Sequence, residues 1–377
     1  MDYRDTPVEA EFRQHLRDWL TTNTPREWQN GNDDEDGRRA QKEWHSALYH
    51  AGYIGLSWPK EYGGQGLNPI YEAILSEELA LIDAPDLPHN INYLGRAIWT
   101  YGTEEQKRHF LPTLLSGEVS WCQGFSEPGA GSDMASLRTR ADLRGDHYVV
   151  NGQKMWTSGA TEADWCLLLA RSDPDAPKHK GISCLLTAMD APGITARPIV
   201  LSTGAPDTGE VFFDDVRIPA EQLLGAPGEG WRIAMTTLAY ERGPGDVGVV
   251  ATYRSTLRAL EELARDRGLL ANEAVREDLA RCYIRGEALR LNVLEQLSAR
   301  SAGGTPGSEG SVAKMLWIDA EQSLQRLAMN LLGADVLTGR EPEWLAGYLA
   351  SRQTSIYGGT AQIQKNILAQ RVLGMPH

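Results

Sequence analysis

The feature that most constrains the fold of this chain is the period of its apolar residues, which changes from helical to alternating and back to helical. Up to about residue 119 the spacing is helical, as in Val8, Phe12 and Leu16. From about 120 to 228, short strand-like runs are separated by turn signals, and long amphipathic segments follow. The pattern predicts an α+β protein with an N-terminal helical domain over 1–119, a central antiparallel β-barrel or sandwich over 120–228, and a C-terminal helical bundle over 229–377.

Several short motifs predict where elements begin, turn or bend. Thr103-Glu104-Glu105-Gln106 is a capping box that should open a helix. Arg144-Gly145-Asp146 and Asn151-Gly152 each predict a hairpin turn between strands. Gly243-Pro244-Gly245 lies inside a long helical pattern over 231–267, and we expect the proline to kink this helix.

Composition excludes several classes of function. The chain has 37 Lys and Arg against 51 Asp and Glu, a net charge of −14, which argues against a nucleic-acid partner or an anionic membrane surface. Its 4 cysteines form no CxxC pair, so the sequence predicts no metal site and favours a reducing compartment. No stretch approaches the roughly 20 apolar residues of a membrane span. We therefore expect a cytoplasmic protein.

The stretch over 121–136, WCQGFSEPGAGSDMAS, combines a short apolar strand with a turn of small residues that ends in two helix N-cap types. Small residues let the backbone approach another molecule closely, so N–H groups around Gly129 to Asp133 could converge on a phosphate or a reduced ring. The turn is neither a Walker loop nor a strict GxGxxG motif. From these residues alone, an ordinary strand-to-loop connection is an equal alternative.

Within this stretch, FSEPGAGSD closely resembles the flavin loop of the acyl-CoA dehydrogenase family. Residues 151–158 (NGQKMWTS) and 356–360 (IYGGT) resemble the family's second and third flavin segments, in the same order and spacing. Residues 58–64 also resemble a family stretch, so the resemblance covers nearly the whole chain. It implies the three-part helical, β, helical architecture and FAD as the cofactor.

The resemblance also implies which residues of the first flavin segment bind FAD. Gln123, Phe125 and Ser126 would border the flavin ring with backbone groups and a hydroxyl. Gly131 and Ser132 would face the pyrophosphate or the thioester end of the substrate. The protein thereby supplies position and polarity for chemistry that belongs to the flavin.

In the other two flavin segments, Trp156 would cover one face of the ring, and Ser158 would hydrogen-bond the ring nitrogen that accepts hydride. The family usually has Thr where Ser158 stands, so the hydroxyl is kept and a methyl group is lost. The remaining residues implied for FAD binding are Thr157, Thr360, Gln362 and Gln364. Without the family context, the alternative for Trp156 is an ordinary core indole, since the chain has 11 tryptophans. The alternative for Thr360, Gln362 and Gln364 is a helix N-cap followed by two exposed polar residues.

Removing hydrogen across the α,β bond of an acyl thioester requires a carboxylate that takes the α-proton. Most relatives carry this Glu at the position that is Gly358 here, and a glycine cannot act as a base. A second arrangement in the family places the Glu beside an Arg on a bundle helix, and Glu241-Arg242 matches it. The resemblance thus implies Glu241 as the catalytic base, with Arg242 orienting it or pairing with a carboxylate.

The residues implied for substrate binding are Ser132, Tyr240, Arg242, Tyr357 and Gly358. The alternative for Glu241 and Arg242 is a pair of solvated charges on a helix, which is common and contributes little. Glu127 and Asp133 are rival carboxylates, but they belong to the flavin loop, so we expect structural roles for them.

Two departures from the family bear on assembly. The family often has Arg-x-x-Phe-Gly, which reaches a neighbouring subunit's FAD, and residues 263–269 lack the Phe-Gly. The family's Gln-x-x-Gly-Gly reads Asn330-Leu331-Leu332-Gly333-Ala334. Both weaken the case for a standard homotetramer, so a homodimer, a homotetramer and a hetero-oligomer with a related chain all stay open.

The function that follows is FAD-dependent α,β-dehydrogenation of an acyl-CoA or acyl-carrier-protein thioester to the trans-2-enoyl product, with electrons passing to an electron-transfer flavoprotein. Gly358 removes bulk beside the thioester, which favours branched, long or ring-bearing acyl groups. Two alternatives remain. One is a flavin oxidase or monooxygenase of the same fold, and the other is a catalytically idle partner subunit of a hetero-oligomer.

Overall fold

The computed structural model describes residues 4–25, 35–85, 87, 90–206 and 208–376. The strands within these residues are β1 (Trp121–Gly124), β2 (Arg140–Arg144), β3 (His147–Ser158), β4 (Trp165–Arg171), β5 (Ile182–Ala188), β6 (Ile194–Ile199), β7 (Thr208–Pro219) and β8 (Leu223–Leu224). The α-helices are α1 (Pro7–Asn23), α2 (Glu35–His50), α3 (Ile70–Leu81), α4 (Asn90–Tyr101), α5 (Glu104–Ser116), α6 (Gly230–Tyr240), α7 (Asp246–Asp266), α8 (Glu273–Ser301), α9 (Gly310–Leu332), α10 (Ala334–Leu337), α11 (Pro342–Gln353) and α12 (Ala361–Ile367). The element order confirms the predicted α+β class, with helices, then a mainly antiparallel sheet, then helices.

The chain forms two compact units. The sheet unit comprises Gln29–Gly66 and Leu87–Glu241, and the bundle unit comprises Met1–Trp28, Leu67–Asp86 and Arg242–His377. Each unit contains segments that are distant in sequence.

In the sheet unit, one sheet has the strand order β6-β7-β3-β2-β4-β5-β8, and β1 pairs with β4. The pairings are antiparallel except those of β1 and β2 with β4. β4 and β5 are apolar runs with nearly every residue buried, so both of their faces are covered. α6 packs on β5, and the glycine at its start allows this because a Cβ on Gly230 would lie 2.5 Å from the Ser183 backbone.

One predicted turn is wrong. Gly145 and Asp146 do form the hairpin turn between β2 and β3, but Asn151-Gly152 does not turn the chain. β3 continues through it, with a register shift against β7 between Val150 and Gly152. The reason is tertiary: a Cβ on Gly152 would lie 2.5 Å from Thr139 Oγ1, so this glycine is needed where two segments meet.

In the bundle unit, α3 packs on α7, and α8 packs on α9. The second contact encloses an apolar core that includes Leu260, Leu279 and Leu324. The predicted kink at Gly243-Pro244-Gly245 is a complete break, because α6 ends at Tyr240 and α7 begins at Asp246. The predicted capping box at Thr103 is present in the sheet unit, where Gln106 N–H donates to Thr103 Oγ1 at 3.2 Å.

Candidate functional site

The glycine loop after β1 is open on its outer side. Its turn is closed by two 3.0 Å backbone hydrogen bonds between Glu127 and Ala130. A Cβ added to Gly129 or Gly131 would meet no atom of the described residues within 4 Å, so another molecule can approach the backbone closely. Gly131 and Ser132 are exposed there.

The residues just before the turn are less accessible. Gln123 and Ser126 are half-buried, and Phe125 is buried. The turn leads into a three-residue 3₁₀ turn instead of a helix, and Asp133 makes no side-chain cap. Its carboxylate pairs with the ammonium group of Lys178 at 2.6 Å.

A bulge in β3 shapes the second segment. Lys154 pairs with Val211 and Thr157 with Gly209, so three steps along β3 match two steps along β7. The side chains of Lys154 and Thr157 are therefore both buried, while Trp156 between them is 55% exposed. Trp156 has φ = +61°, a region that bulky residues rarely adopt.

The bulge also separates the three residues implied for FAD binding in β3. Trp156 and Ser158 are exposed, whereas the Thr157 side chain is buried. Among the described residues, Thr157 Oγ1 has no hydrogen-bond partner. The Thr157 side chain therefore points into the protein, away from the surface on which Trp156 and Ser158 are exposed.

The two segments lie side by side. Met155 N–H donates to Ser126 O at 2.9 Å, which brings the end of β1 next to the bulge of β3. Beneath them, Lys154 Nζ contacts Glu127 Oε1 at 2.8 Å. Burial lowers the pKa of Lys154, although the negative charge of Glu127 acts in the opposite direction and raises it. Burial would raise the pKa of Glu127, but Lys154 and the hydrogen bonds to the carboxylate outweigh it and lower that pKa.

The proposed base lies at the C-terminus of α6. Glu241 follows directly after Tyr240, at the start of the helix break, and it is exposed in the chain. Its carboxylate is close enough to influence Tyr93 of α4, a phenol whose pKa is raised, first by burial and then by the charges of Glu241 and Cys122. α4 and α6 therefore bring a phenol and a carboxylate into one neighbourhood.

An arginine ties the same end of α6 to α4. The guanidinium carbon of Arg96 lies 4.4 Å from the ring centroid of Tyr240 and 5.2 Å from that of Trp99. A second tie between these helices is a 2.7 Å hydrogen bond between the hydroxyls of Tyr101 and Thr236. These contacts fix the helix that carries Glu241.

In the bundle unit, Gly358 is held by its carbonyl. Arg242 Nη2 donates to Gly358 O at 2.6 Å, and Nη1 donates to Gly310 O at 3.1 Å. Gln364 is buried and donates to Gly358 O at 3.0 Å and to Gly359 O at 3.2 Å. Arg242 and Gln364 thus share one backbone acceptor, and Arg242 fixes the loop that begins at Tyr357.

The other residues predicted for the site in the bundle unit lie at the start of α12 and in the loop before it. Thr360 caps α12, since its hydroxyl accepts from Ile363 N–H at 3.2 Å, and Gln362 is exposed. Tyr357 contacts a cation, because Lys314 Nζ lies 4.3 Å from its ring centroid and 4.3 Å from that of Trp317.

The predicted site residues are thus divided between the units. Those of the first two flavin segments, with Tyr240 and Glu241, belong to the sheet unit, and Arg242 with the C-terminal set belongs to the bundle unit. No sequence pattern pointed to Tyr93, Arg96 or Lys314 as residues near the site. Lys154 belongs to the second flavin segment, but the sequence spacing did not predict that it pairs with Glu127.

A chain order of helices, a mainly antiparallel sheet and helices, with an open glycine loop and an outward-facing indole in the sheet unit, is the organisation expected of a flavin-dependent oxidoreductase. Comparison with models of protein families identifies the family to which the chain belongs. The acyl-CoA dehydrogenase N-terminal domain matches residues 6–118, the middle domain 122–216 and the C-terminal domain 228–373. The chain therefore belongs to the acyl-CoA dehydrogenase family and is an FAD-dependent acyl-CoA dehydrogenase.

Individual relatives agree along the whole chain. The acyl-CoA dehydrogenase IpdE1 of Mycobacterium tuberculosis is 41% identical over 377 residues, which cover 97% of each chain. A chain of the ChsE4-ChsE5 complex from Mycobacterium tuberculosis is 34% identical, with a TM-score of 0.87 and 100% of both chains covered. The Tcur3481-Tcur3483 steroid ACAD is 33% identical, with a TM-score of 0.85 and 100% of both covered.

The sheet unit fits FAD. An open loop at Gly129 and Gly131 allows backbone N–H groups to approach a phosphate or a ring edge. Next to it, Ser126 and Ser158 supply hydroxyls, and Trp156 supplies an exposed apolar face. Within the described ranges, the structure contains no helix long and apolar enough to cross a bilayer.

Proposed function

We propose that the chain dehydrogenates the α,β bond of a bulky, ring-bearing acyl-CoA, with Glu241 as the catalytic base. The observation that carries the base assignment is the exposed position of Glu241 at the break after α6, directly after Tyr240, on which Arg96 of α4 stacks at 4.4 Å. At Gly358, where most relatives carry the base, the chain has no carboxylate to offer.

In this mechanism Glu241 takes the α-proton of the thioester. The exposed carboxylate would lose water when an acyl chain binds against it, which strengthens its interaction with the substrate. Arg96 keeps the end of α6 in place during the transfer by stacking on Tyr240. FAD, when bound, supplies the two-electron acceptor that no side chain provides. Gln123, Ser126, Trp156 and Ser158 would hold it in the sheet unit.

The remaining predicted residues would bind FAD or the substrate, or would position the loop beside them. Gly131 and Ser132 would face the pyrophosphate or the thioester, while Thr360, Gln362 and Gln364 would contact FAD. Tyr357 and Gly358 would border the acyl group. Arg242 would act through the Gly358 carbonyl that it binds at 2.6 Å, so we assign it to loop position instead of direct contact with the substrate.

A ring-bearing acyl group is the substrate class that the residues favour. Gly358 has no side chain and adopts φ = +61°, so the loop leaves space where relatives carry a glutamate. The related Tcur3481-Tcur3483 protein is described as a steroid ACAD. We therefore propose a steroid-derived acyl-CoA as the substrate and an electron-transfer flavoprotein as the electron acceptor.

A related chain is the partner that we propose for assembly. The segments that would reach a neighbouring FAD lack Phe-Gly after Arg267 and have Ala334 for the second glycine. α8 exposes apolar side chains at Tyr283, Ile284 and Leu291, which a partner would cover. The ChsE4-ChsE5 structure is itself a complex of two named chains. Light scattering of the chain with and without a coexpressed relative tests this assembly.

Domain limits and location complete the proposal. We keep the divisions 1–119, 120–228 and 229–377, because α5 ends at Ser116, β1 begins at Trp121 and α6 begins at Gly230. We assign the activity to the cytoplasm, because all four cysteines are buried free thiols, as a reducing compartment allows. Limited proteolysis and cell fractionation test the two statements.

The deciding experiment follows flavin absorbance as acyl-CoAs are added without oxygen, with an artificial electron acceptor for turnover. Glu241→Gln should keep the flavin and lose roughly 10²- to 10⁴-fold in kcat. Glu229→Gln, at the other end of α6, is the matched control and should stay near native activity. Full activity of Glu241→Gln would remove the base assignment.

Two other outcomes separate the alternatives. Rapid peroxide release in air would favour the oxidase or monooxygenase. Failure of every acyl-CoA to bleach the flavin, with the partner chain present, would favour the idle subunit.

A further inference from the structure

A buried ion pair lies beneath the two flavin segments of the sheet unit. Lys154 is fully buried, and its Nζ donates to Glu127 Oε1 at 2.8 Å and to Phe125 O at 3.1 Å. Glu127 is itself buried, and its two oxygens accept the backbone N–H groups of Arg138 at 2.7 Å and Thr139 at 2.9 Å. The ion pair joins the two flavin segments to each other, and the other three contacts join them to backbone groups.

Stability does not explain such a pair. Removing two charges from water is costly, and buried ion pairs can often be replaced by apolar groups without loss of stability. Removing a single partner is a different matter, because it leaves an unpaired buried charge. A pair of this kind at the end of β1 therefore requires an explanation in terms of what it holds in place.

The ion pair holds the peptide group between Phe125 and Ser126 through the carbonyl oxygen of Phe125. The described chain has no cis peptide bond, so the C=O of Phe125 and the N–H of Ser126 point in opposite directions across a trans peptide plane. Because the Phe125 carbonyl is aimed at the buried Lys154 ammonium, the Ser126 N–H points away from it. The next carbonyl, Ser126 O, is held by Met155 N–H at 2.9 Å.

We propose that Lys154, held by Glu127, is a positioning residue that aims the Ser126 N–H at bound FAD and so sets the reduction potential of the cofactor. The ammonium group fixes the peptide direction and also polarises the peptide, which makes the N–H a stronger donor. A donor aimed at the ring favours the form with more negative charge, which is the reduced one. The inference rests on the FAD-binding roles proposed above, but it does not depend on Glu241.

The test uses the double variant Lys154→Met/Glu127→Gln, which removes both charges and leaves no unpaired buried ion. Lys178→Met is the matched control, because Lys178 pairs with Asp133 of the same loop but is exposed. The protein is studied with its flavin, alone or with its partner chain if only the complex retains flavin. The measurements are the midpoint potential by dye equilibration, the visible spectrum, FAD affinity and thermal unfolding.

We expect the double variant to bind reduced FAD about ten-fold more weakly relative to oxidised FAD, which lowers a two-electron potential by about 30 mV. Its visible spectrum should also shift, while Lys178→Met should match the native protein in both respects. An unchanged potential and spectrum in a folded, flavin-loaded double variant would overturn the proposal and leave the FAD site intact. Loss of folding in the double variant would also overturn it, since the pair would then be a folding requirement. A native protein without flavin would instead contradict the proposed function.

Discussion

Arg96 of α4 stacks on Tyr240, the last residue of α6, with 4.4 Å between its guanidinium carbon and the ring centroid. The next residue is Glu241, so this cation–π contact lies one residue from the proposed base. A second contact of the same kind lies nearer the start of α6, where Arg232 stacks on Tyr101 at 4.9 Å. Arg232 lies far along the helix from Glu241, and its guanidinium also pairs with Glu229 at 2.6 Å.

We expect Arg96→Met to reduce kcat roughly ten- to a hundred-fold, because even a small displacement of a catalytic group is costly. The loss of stability should be about 1 kcal/mol. Arg232→Met is the matched control and should lose similar stability with little change in kcat. Steady-state kinetics and chemical denaturation measure the two quantities, and equal kcat losses in both variants would show that Arg96 has no special effect on the base.

Gly131 provides a prediction about ligand approach. No described atom would contact a Cβ there, so Gly131→Ala should change the free energy of unfolding by less than about 0.5 kcal/mol. Its affinity for FAD or for the acyl thioester should nevertheless fall, because the methyl group occupies the surface that a ligand approaches. Titrations with FAD and with acyl-CoA test this. Unchanged affinity for both ligands would place the ligand elsewhere.

Gly152 should behave in the opposite way. A Cβ at this position would lie 2.5 Å from Thr139 Oγ1 and 2.7 Å from Thr139 Cα, and the backbone cannot move aside easily. Gly152→Ala should therefore cost about 3 kcal/mol of stability. Gly145→Ala, in an open turn at φ = +67°, should cost only about 1 kcal/mol. Equal losses in urea denaturation would mean that the contact with Thr139 is unimportant.

His45 predicts a pH dependence of stability. It is buried against Leu115 O at 3.0 Å, and burial lowers its pKa below the usual value despite this hydrogen bond. The folded state then resists protonation, so the unfolded state binds more protons below about pH 6.5. Stability from His45 is present above that pH and is lost as the pH falls toward the lower folded pKa.

We therefore expect His45→Gln to flatten the fall in unfolding free energy between about pH 7 and pH 5. The exposed His50→Gln is the matched control and should keep the native slope. Denaturation curves at several pH values measure the slopes. A native slope in His45→Gln would assign the pH dependence to other groups.

Local patterns predicted much of this structure and were wrong where distant residues meet. The order of helices, sheet and helices follows the change in apolar period, and the Thr103 capping box is formed as expected. Asn151-Gly152 has the sequence of a hairpin turn, yet it continues a strand because Thr139 packs against Gly152. Turn propensity is local, whereas this packing depends on a segment twelve or more residues away.

The sequence by itself determined the order of helical and β elements and the small residues of the glycine loop, because apolar period and residue size can be read without coordinates. It also excluded a carboxylate at Gly358, and it predicted Glu241 as the base only through the family resemblance. Only the tertiary structure decided that Trp156 faces outward from a bulge, that Arg96 stacks on Tyr240 and that the buried Lys154 donates to the Phe125 carbonyl. These features depend on strand register and on contacts between distant segments, and a residue's neighbours across a sheet or between helices are not encoded in its neighbours along the chain.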